Sequence, residues 1–244
     1  MTAARRTSSL LALIGAGALL LAGCASGAAV PASSGSASET PIGGEIRTEA
    51  GWLDGGRFIG IVTDGSSTCV PTATDATVQA DGTLAVTLDN GPADKACTAD
   101  MVPRVSLVGV PEGVDPTKDL DIVVTMAQGG RGDADLDGLD ASQVKTGATD
   151  YLPSAGWVDD DQIAILTWGS STCAPVVGDV TASDSKNVMV TFADLGDKPC
   201  TMDMAPRATL ISVAGLDVDD DGASVTLSGG DAQFATPVTV AVIG

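Results

Sequence analysis

The heptapeptide GSSTCVP, Gly65 to Pro71, returns as GSSTCAP from Gly169 to Pro175. Its residue types admit three chemistries: a serine nucleophile in a tight turn, a metal-ligating cysteine, or one end of a disulfide used once per copy. A nucleophilic Ser66, Ser67, Ser170 or Ser171 needs a general base in hydrogen-bond reach, most often histidine. The chain contains no histidine. Lys95 and Lys198 recur in both copies as formal bases, but no S-x-x-K pattern accompanies them. The favoured reading is a polar turn, in which glycine supplies backbone freedom and hydroxyls bond nearby amides. The lack of histidine, with cysteines committed to bridges, also removes zinc and most transition-metal sites.

Oxygen ligands are left. DADLDG places Asp133, Asp135 and Asp137 before Gly138, and DVDDDG places Asp217, Asp219 and Asp221 before Gly222. This D-x-D-x-D-G spacing resembles the opening half of the EF-hand and dockerin type of calcium loop, where alternate carboxylates converge on one ion and glycine permits the sharp turn. The resemblance implies Ca2+ as a cofactor held by those six aspartates. It covers six residues in each case. The twelfth position, which should be acidic, is Val144 in one and Ser228 in the other, and no helices flank either. The corresponding stretch of the first copy, GVDPTKD from Gly113, lacks the pattern. The competing reading is an acidic, solvated turn, with no cofactor at all.

Five cysteines raise the question of which is unpaired. Arg5 and Arg6 precede an apolar run from Leu10 to Ala22 that is too short to span a bilayer as a stable helix, the layout of a secretory signal. Leu21-Ala22-Gly23-Cys24 closes that run and resembles the lipobox of bacterial lipoproteins. The resemblance implies cleavage after residue 23, acylation of Cys24, and an extracytoplasmic protein held to the cell membrane by its lipid. Each buried methylene contributes about 0.8 kcal/mol, so two or more acyl chains anchor where one would be marginal. ARRTSSL lacks most of the twin-arginine export pattern. With Cys24 set aside, Cys69, Cys97, Cys173 and Cys200 form an even set in an oxidising compartment.

The elements that carry these residues come twice. Residues 24–48 are a flexible Ala/Ser/Gly/Pro tether. GWLDGGRFIGIVTDGSSTCVP from Gly51 then aligns with GWVDDDQIAILTWGSSTCAP from Gly156, and DKACTADMVPR from Asp94 with DKPCTMDMAPR from Asp197. This is a tandem duplication: repeat 1 over 49–130, an Asp-rich linker over 131–150, and repeat 2 over 151–244. Runs such as TLAVTL, RVSLVGV, QIAILTW and NVMVTF have strand length, β-branched enrichment and turn residues between them, with no sustained helical period outside the signal. The expected fold is all-β: two tandem homologous small antiparallel β-sandwich domains, each with one disulfide. The last run, TPVTVAVIG, has no evident counterpart after the first copy. Cysteine spacing is the same in each copy to within one residue, so repetition favours Cys69–Cys97 and Cys173–Cys200. Closing such a loop stabilises by roughly 3.5 kcal/mol on the chain-entropy model.

Arg104 and Arg207 recur beside Asp100 and Asp203, and the spacing predicts a buried Arg–Asp pair in each copy. Trp52 and Trp157 are expected to cap the two cores; Trp168, with Asp64 at its twin position, is expected to be buried rather than stacked on a sugar. The RGD at Arg131 to Asp133 is a three-letter match in an acidic stretch. With 32 acidic residues against 12 basic and a net charge of −20, the surface repels nucleic acid and anionic headgroups. The expectation is a membrane-anchored extracytoplasmic lipoprotein with a non-catalytic binding or structural role, its partners the membrane through the lipid and a cell-envelope polymer or protein. The alternatives are a calcium-dependent adhesive module and a cell-wall-acting hydrolase using paired carboxylates.

Overall fold

The computed structural model describes residues 43–230 and 232–244; the signal peptide, Cys24 and most of the tether lie outside them. Every element of length is a strand. The first copy supplies β1 (Thr48–Leu53), β2 (Phe58–Gly65), β3 (Thr72–Val78), β4 (Leu84–Asp89), β5 (Val102–Gly109), β6 (Leu120–Met126) and β7 (Arg131–Leu136). The second supplies β8 (Ser154–Asp159), β9 (Gln162–Gly169), β10 (Val177–Asp184), β11 (Asn187–Phe192), β12 (Ala205–Ser212), β13 (Ser224–Gly229) and β14 (Val238–Ile243). A short 3-10 turn, Ala232–Phe234, tucks Phe234 under the second copy.

The pairing order repeats with the sequence. The second copy is one seven-stranded sheet, β10-β11-β13-β14-β8-β9-β12; the first splits the same order into β3-β4-β6-β7 and β1-β2-β5. In the second copy the halves are joined by parallel pairing of β14 with β8. In the first, one parallel bridge, Glu45 with Arg131, stands at that place, and Ile46 N donates to Arg131 O at 2.9 Å. Strict alternation then builds the core. Leu84, Val86 and Leu88 of β4 point inward, as do Ile122 and Val124 of β6, and they meet Trp52, Ile59 and Ile61 from the other sheet. Val188, Val190, Val225 and Leu227 meet Ile163 and Ile165 in the second copy. The fold is all-β and sandwich-like.

Three expectations change. Two of the three sheets are mixed rather than antiparallel, with β4 parallel to β6, β11 to β13, and β14 to β8, while β1-β2-β5 is antiparallel throughout. Residues 131–136 are not linker but strand β7, paired with β6 from Leu120↔Leu136 to Thr125↔Arg131. The final run therefore has a counterpart, because β7 holds in the first copy the place that β14 holds in the second. Its apolar signal is hidden since Gly132, Ala134 and Leu136 face inward while Arg131, Asp133 and Asp135 face water.

Nor do the copies stand apart as separate domains: the described residues form one compact unit. The reason is legible in β2 and β9, which are apolar on both faces. Ile59 and Ile61, or Ile163 and Ile165, fill their own copy's core. The opposite faces, with Val62, Ala164, Leu166 and Trp168, join Leu53, Val105 and Val158 in a third core between the copies. Fully burying side chains of this size stabilises by about 1.5–3 kcal/mol each. The closest approach lies at the repeated Gly-Trp dipeptides. A Cβ on Gly51 would overlap Trp157 O, and a Cβ on Gly156 would overlap Trp52 O. Asp54 N donates to Ser154 Oγ at 2.9 Å across the same seam. Gly51→Ala and Gly156→Ala are therefore each expected to force the copies apart and lower stability by roughly 1–3 kcal/mol or more, read as a fall in melting temperature.

Candidate functional site

Each GSSTC turn is the end of a strand stapled to a loop. β2 runs into Gly65, the chain turns with Cys69 N donating to Ser66 O at 3.2 Å, and Cys69 is bridged to Cys97 in the loop before β5. The second copy repeats this, with Cys173 N on Ser170 O at 3.2 Å and Cys173 bridged to Cys200. Both disulfides are the within-copy pairs that repetition favours, and they fit an oxidising, extracytoplasmic compartment. No helix of the described residues is long and apolar enough to cross a membrane.

The arginines hold the turns from beneath, though not by the expected ion pairs. Arg104 Nη1 donates to Cys69 O at 2.7 Å and to Ser66 O at 3.3 Å, and Nη2 donates to Asp64 O at 3.3 Å. Arg207 donates to Cys173 O at 2.9 Å and to Trp168 O at 2.8 Å. Cys69 O and Cys173 O, which accept no backbone N–H among the described residues, are thus satisfied by a buried guanidinium. Gly65 and Gly169 are required because a Cβ at either would strike that group. Burial pulls the Arg104 pKa down, and Asp64 and Asp100 offset part of that.

The aspartates do a different task. Asp100 accepts Ser67 N at 3.2 Å and the Thr98 hydroxyl, and Asp203 accepts Ser171 N at 3.1 Å and the Thr201 hydroxyl. Hydrogen bonds from Ser67 and Thr98 lower Asp100 to about 2, and those from Thr201 and Ser171 lower Asp203 to about 2. Ser66 Oγ lies 2.7 Å from Thr98 Oγ1 and Ser170 Oγ 2.8 Å from Thr201 Oγ1. Lys198 Nζ donates to Thr172 O at 2.8 Å. The serines sit in a hydroxyl network with threonines, and this favours the turn reading over nucleophilic chemistry. Thr98 and Thr201 went unremarked in the sequence, although each directly follows a bridged cysteine in both copies.

Between the two turns the copies enclose a cleft of about 620 Å³. Equivalent residues line its two sides: Ser67 and Ser171, Pro103 and Pro206, Leu107 and Leu210 among them. Smaller hollows of about 350 and 430 Å³ flank the disulfides, one in each copy. The loops that hold Asp100 and Asp203 also expose Met101, Met202 and Met204, each more than half open to solvent. Trp168 is buried, edge-on to Phe58 and Tyr151 with ring centroids 5.7 and 5.0 Å away, and offers no open face for a sugar.

The six D-x-D-x-D-G aspartates are not brought together. Asp133 and Asp135 lie side by side on the exposed face of β7, and Asp133 faces Arg131 at 3.6 Å. Asp137 contributes its carbonyl, which accepts the Trp52 indole N–H at 2.8 Å. In the second stretch the Trp157 indole donates to Asp220 O at 3.1 Å, Asp219 accepts Ser185 Oγ at 3.0 Å, and Asp221 O accepts Lys186 Nζ at 2.6 Å; Asp217 adopts φ 52° as the chain turns. Among the described residues, no group of three or more acidic or cysteine side chains could hold a metal ion. The glycines have structural causes instead: a Cβ on Gly138 would overlap Thr117 O. Among the described residues, the one carboxyl pushed upward is Asp161, raised by its hydrogen bond with Asp159 in the β8–β9 hairpin, and it lines none of these cavities.

No family model, curated protein or solved structure matches this chain.

Two outcomes follow from the geometry. Asp100 and Asp203 have folded pKa values below the unfolded ones, so their contribution is complete above about pH 4 and is lost as pH falls towards 2. Asp100→Asn with Asp203→Asn should flatten the fall in melting temperature between pH 4 and pH 2 relative to the unaltered protein. Millimolar calcium should leave the melting temperature unchanged, because alternate carboxylates on a strand face do not converge; a rise of several degrees that Asp133→Asn abolishes would refute this.

Proposed function

We propose that the protein is a bacterial surface lipoprotein, anchored by acyl chains on Cys24, whose two sandwich-like, disulfide-bonded copies form a non-catalytic binding module at the cell envelope. The observation that carries this reading is the inter-copy cleft, walled by equivalent residues of both repeats and flanked by the two stapled turns. The reading is of binding rather than turnover because the serines engage threonine hydroxyls, the chain holds no histidine, and the cleft presents no pair of carboxyls with separated pKa values. The lipobox and the signal preceding it support the anchor, and the disulfides support the compartment. The two copies share a buried core, so the cleft is held by packing on both sides rather than by a hinge.

Expression in a bacterial host tests the anchor. The full chain should fractionate with membranes and carry acyl groups on Cys24, whereas Cys24→Ala should be recovered in soluble fractions. The binding role is tested with isolated envelope fractions: saturable adsorption with no change in polymer length is the expected result. Release of soluble fragments would instead favour a cell-wall hydrolase, and adsorption that requires calcium would favour the adhesive module.

A further inference from the structure

Six successive residues of β5, Val102 to Leu107, line the inter-copy cleft. Side chains of a strand alternate between its faces, so an unbroken run means that the cleft follows the strand's edge. Among the described residues that edge has no hydrogen-bonded neighbour, although β3 and β12 pack close to β5. β5 pairs only with β2 and ends its sheet, as β12 pairs only with β9 and ends its own.

Register fixes which backbone groups face outward. Val110 N donates to Arg57 O at 3.0 Å, one step beyond the Phe58↔Gly109 pair of the β2–β5 ladder. Bonded and unbonded pairs alternate along an antiparallel ladder. Arg104, Ser106 and Val108 therefore bond β2, while Pro103, Val105 and Leu107 turn their backbone groups away from it. In β12, Val213 N donates to Asp161 O at 2.8 Å, which likewise turns Pro206, Ala208 and Leu210 outward. Both prolines sit at outward positions, where a missing N–H costs no ladder bond. Among the described residues, no backbone hydrogen bond takes up the outward groups of Val105, Leu107, Ala208 or Leu210.

Chemistry narrows the occupant. The cleft wall is mainly aliphatic and prolyl and carries no aromatic ring, which suits apolar side chains better than sugar rings. Its lining includes no lysine, and its two arginines are spent on turn carbonyls. Asp100 and Asp203 stand beside it, bonded to Ser67 N and Ser171 N, on a chain of net charge −20. We infer that the cleft binds an extended polypeptide of alternating basic and apolar residues, added as a further strand to the free edge of β5 and, at the repeat-related position, of β12. This rests on the binding role proposed above and names its ligand class. Main-chain bonds to Val105 and Leu107 supply register, the aliphatic wall takes the apolar residues, and the acidic surroundings take the basic ones.

The test uses the full chain and an octapeptide alternating lysine and valine, against a glutamate–valine octapeptide and a lysine–valine octapeptide carrying two prolines. The lysine–valine peptide should bind saturably. Both controls should bind at least tenfold more weakly, and affinity should fall as salt rises. Amide hydrogen exchange reads the geometry. Without peptide, Val105, Leu107, Ala208 and Leu210 should exchange fast and Arg104, Ser106 and Val108 slowly; with peptide, the first group should slow and the second stay unchanged. Binding without that alternate-residue protection, or equal binding of the proline-bearing peptide, would overturn the inference. If no peptide binds while the protein still adsorbs saturably to envelope polymer, the peptide assignment fails and the binding role stands. If neither binds, both fail.

Discussion

The contact on which the rest depends is the reciprocal approach of two Gly-Trp dipeptides. Gly51 lies against the carbonyl of Trp157, and Gly156 against that of Trp52, so each copy's backbone rests where the other copy has no side chain. This approach lets β2 and β9 bury their second faces in a common core. It also sets the distance between β5 and β12, whose residues wall the cleft. The tryptophans beside those glycines are held in turn. Their indole N–H groups are satisfied by the carbonyls of Asp137 and Asp220, so the acidic stretches serve the core through their backbone.

A second constraint acts at the mouths of the copies. A chain turning sharply after a strand leaves carbonyls without N–H partners, and such groups are costly unless something donates to them. Arg104 and Arg207 do so from below, the disulfides fix the loop from the side, and Asp100 and Asp203 receive the amides of Ser67 and Ser171 from above. Donors and acceptors are matched with the charge of each group. The sequence shows the Arg–Asp proximity but not its meaning, because two groups a few residues apart can each bond the backbone rather than one another.

Much of the fold could be read from residues, and the misreadings share a cause. Strand content, duplication and cysteine pairing follow from local pattern and repetition, which need no knowledge of neighbours. Pairing direction does not, since β4 and β6 are joined across a long excursion and nothing in TLAVTL or LDIVVTM marks them as parallel. β7 was hidden for a related reason. Its inward residues are glycine, alanine and leucine, and its outward ones are charged, so RGDADL reads as an acidic turn until β6 and the inward packing of its small residues are seen. The same hiding made DADLDG resemble an ion loop: alternate carboxylates converge in a tight loop, but Asp133 and Asp135 spread along one face of a strand. Of the site, the turns were visible as a repeated heptapeptide. The cleft was not, because it belongs to neither repeat.

That last point bears on what duplication achieved. One copy alone would expose β2's second face and its edge strand together, a combination that invites uncontrolled pairing with other chains. Packing two copies back to back covers the apolar faces and leaves the edges of β5 and β12 at the margin, each carrying an outward proline on a chain of net charge −20. Those features disfavour like-charged strands, while leaving Val105, Leu107, Ala208 and Leu210 with backbone groups that no backbone bond among the described residues takes up. Protection against self-association and selectivity for a basic partner thus arise from the same residues, since a surface that rejects its own charge is one that attracts the opposite.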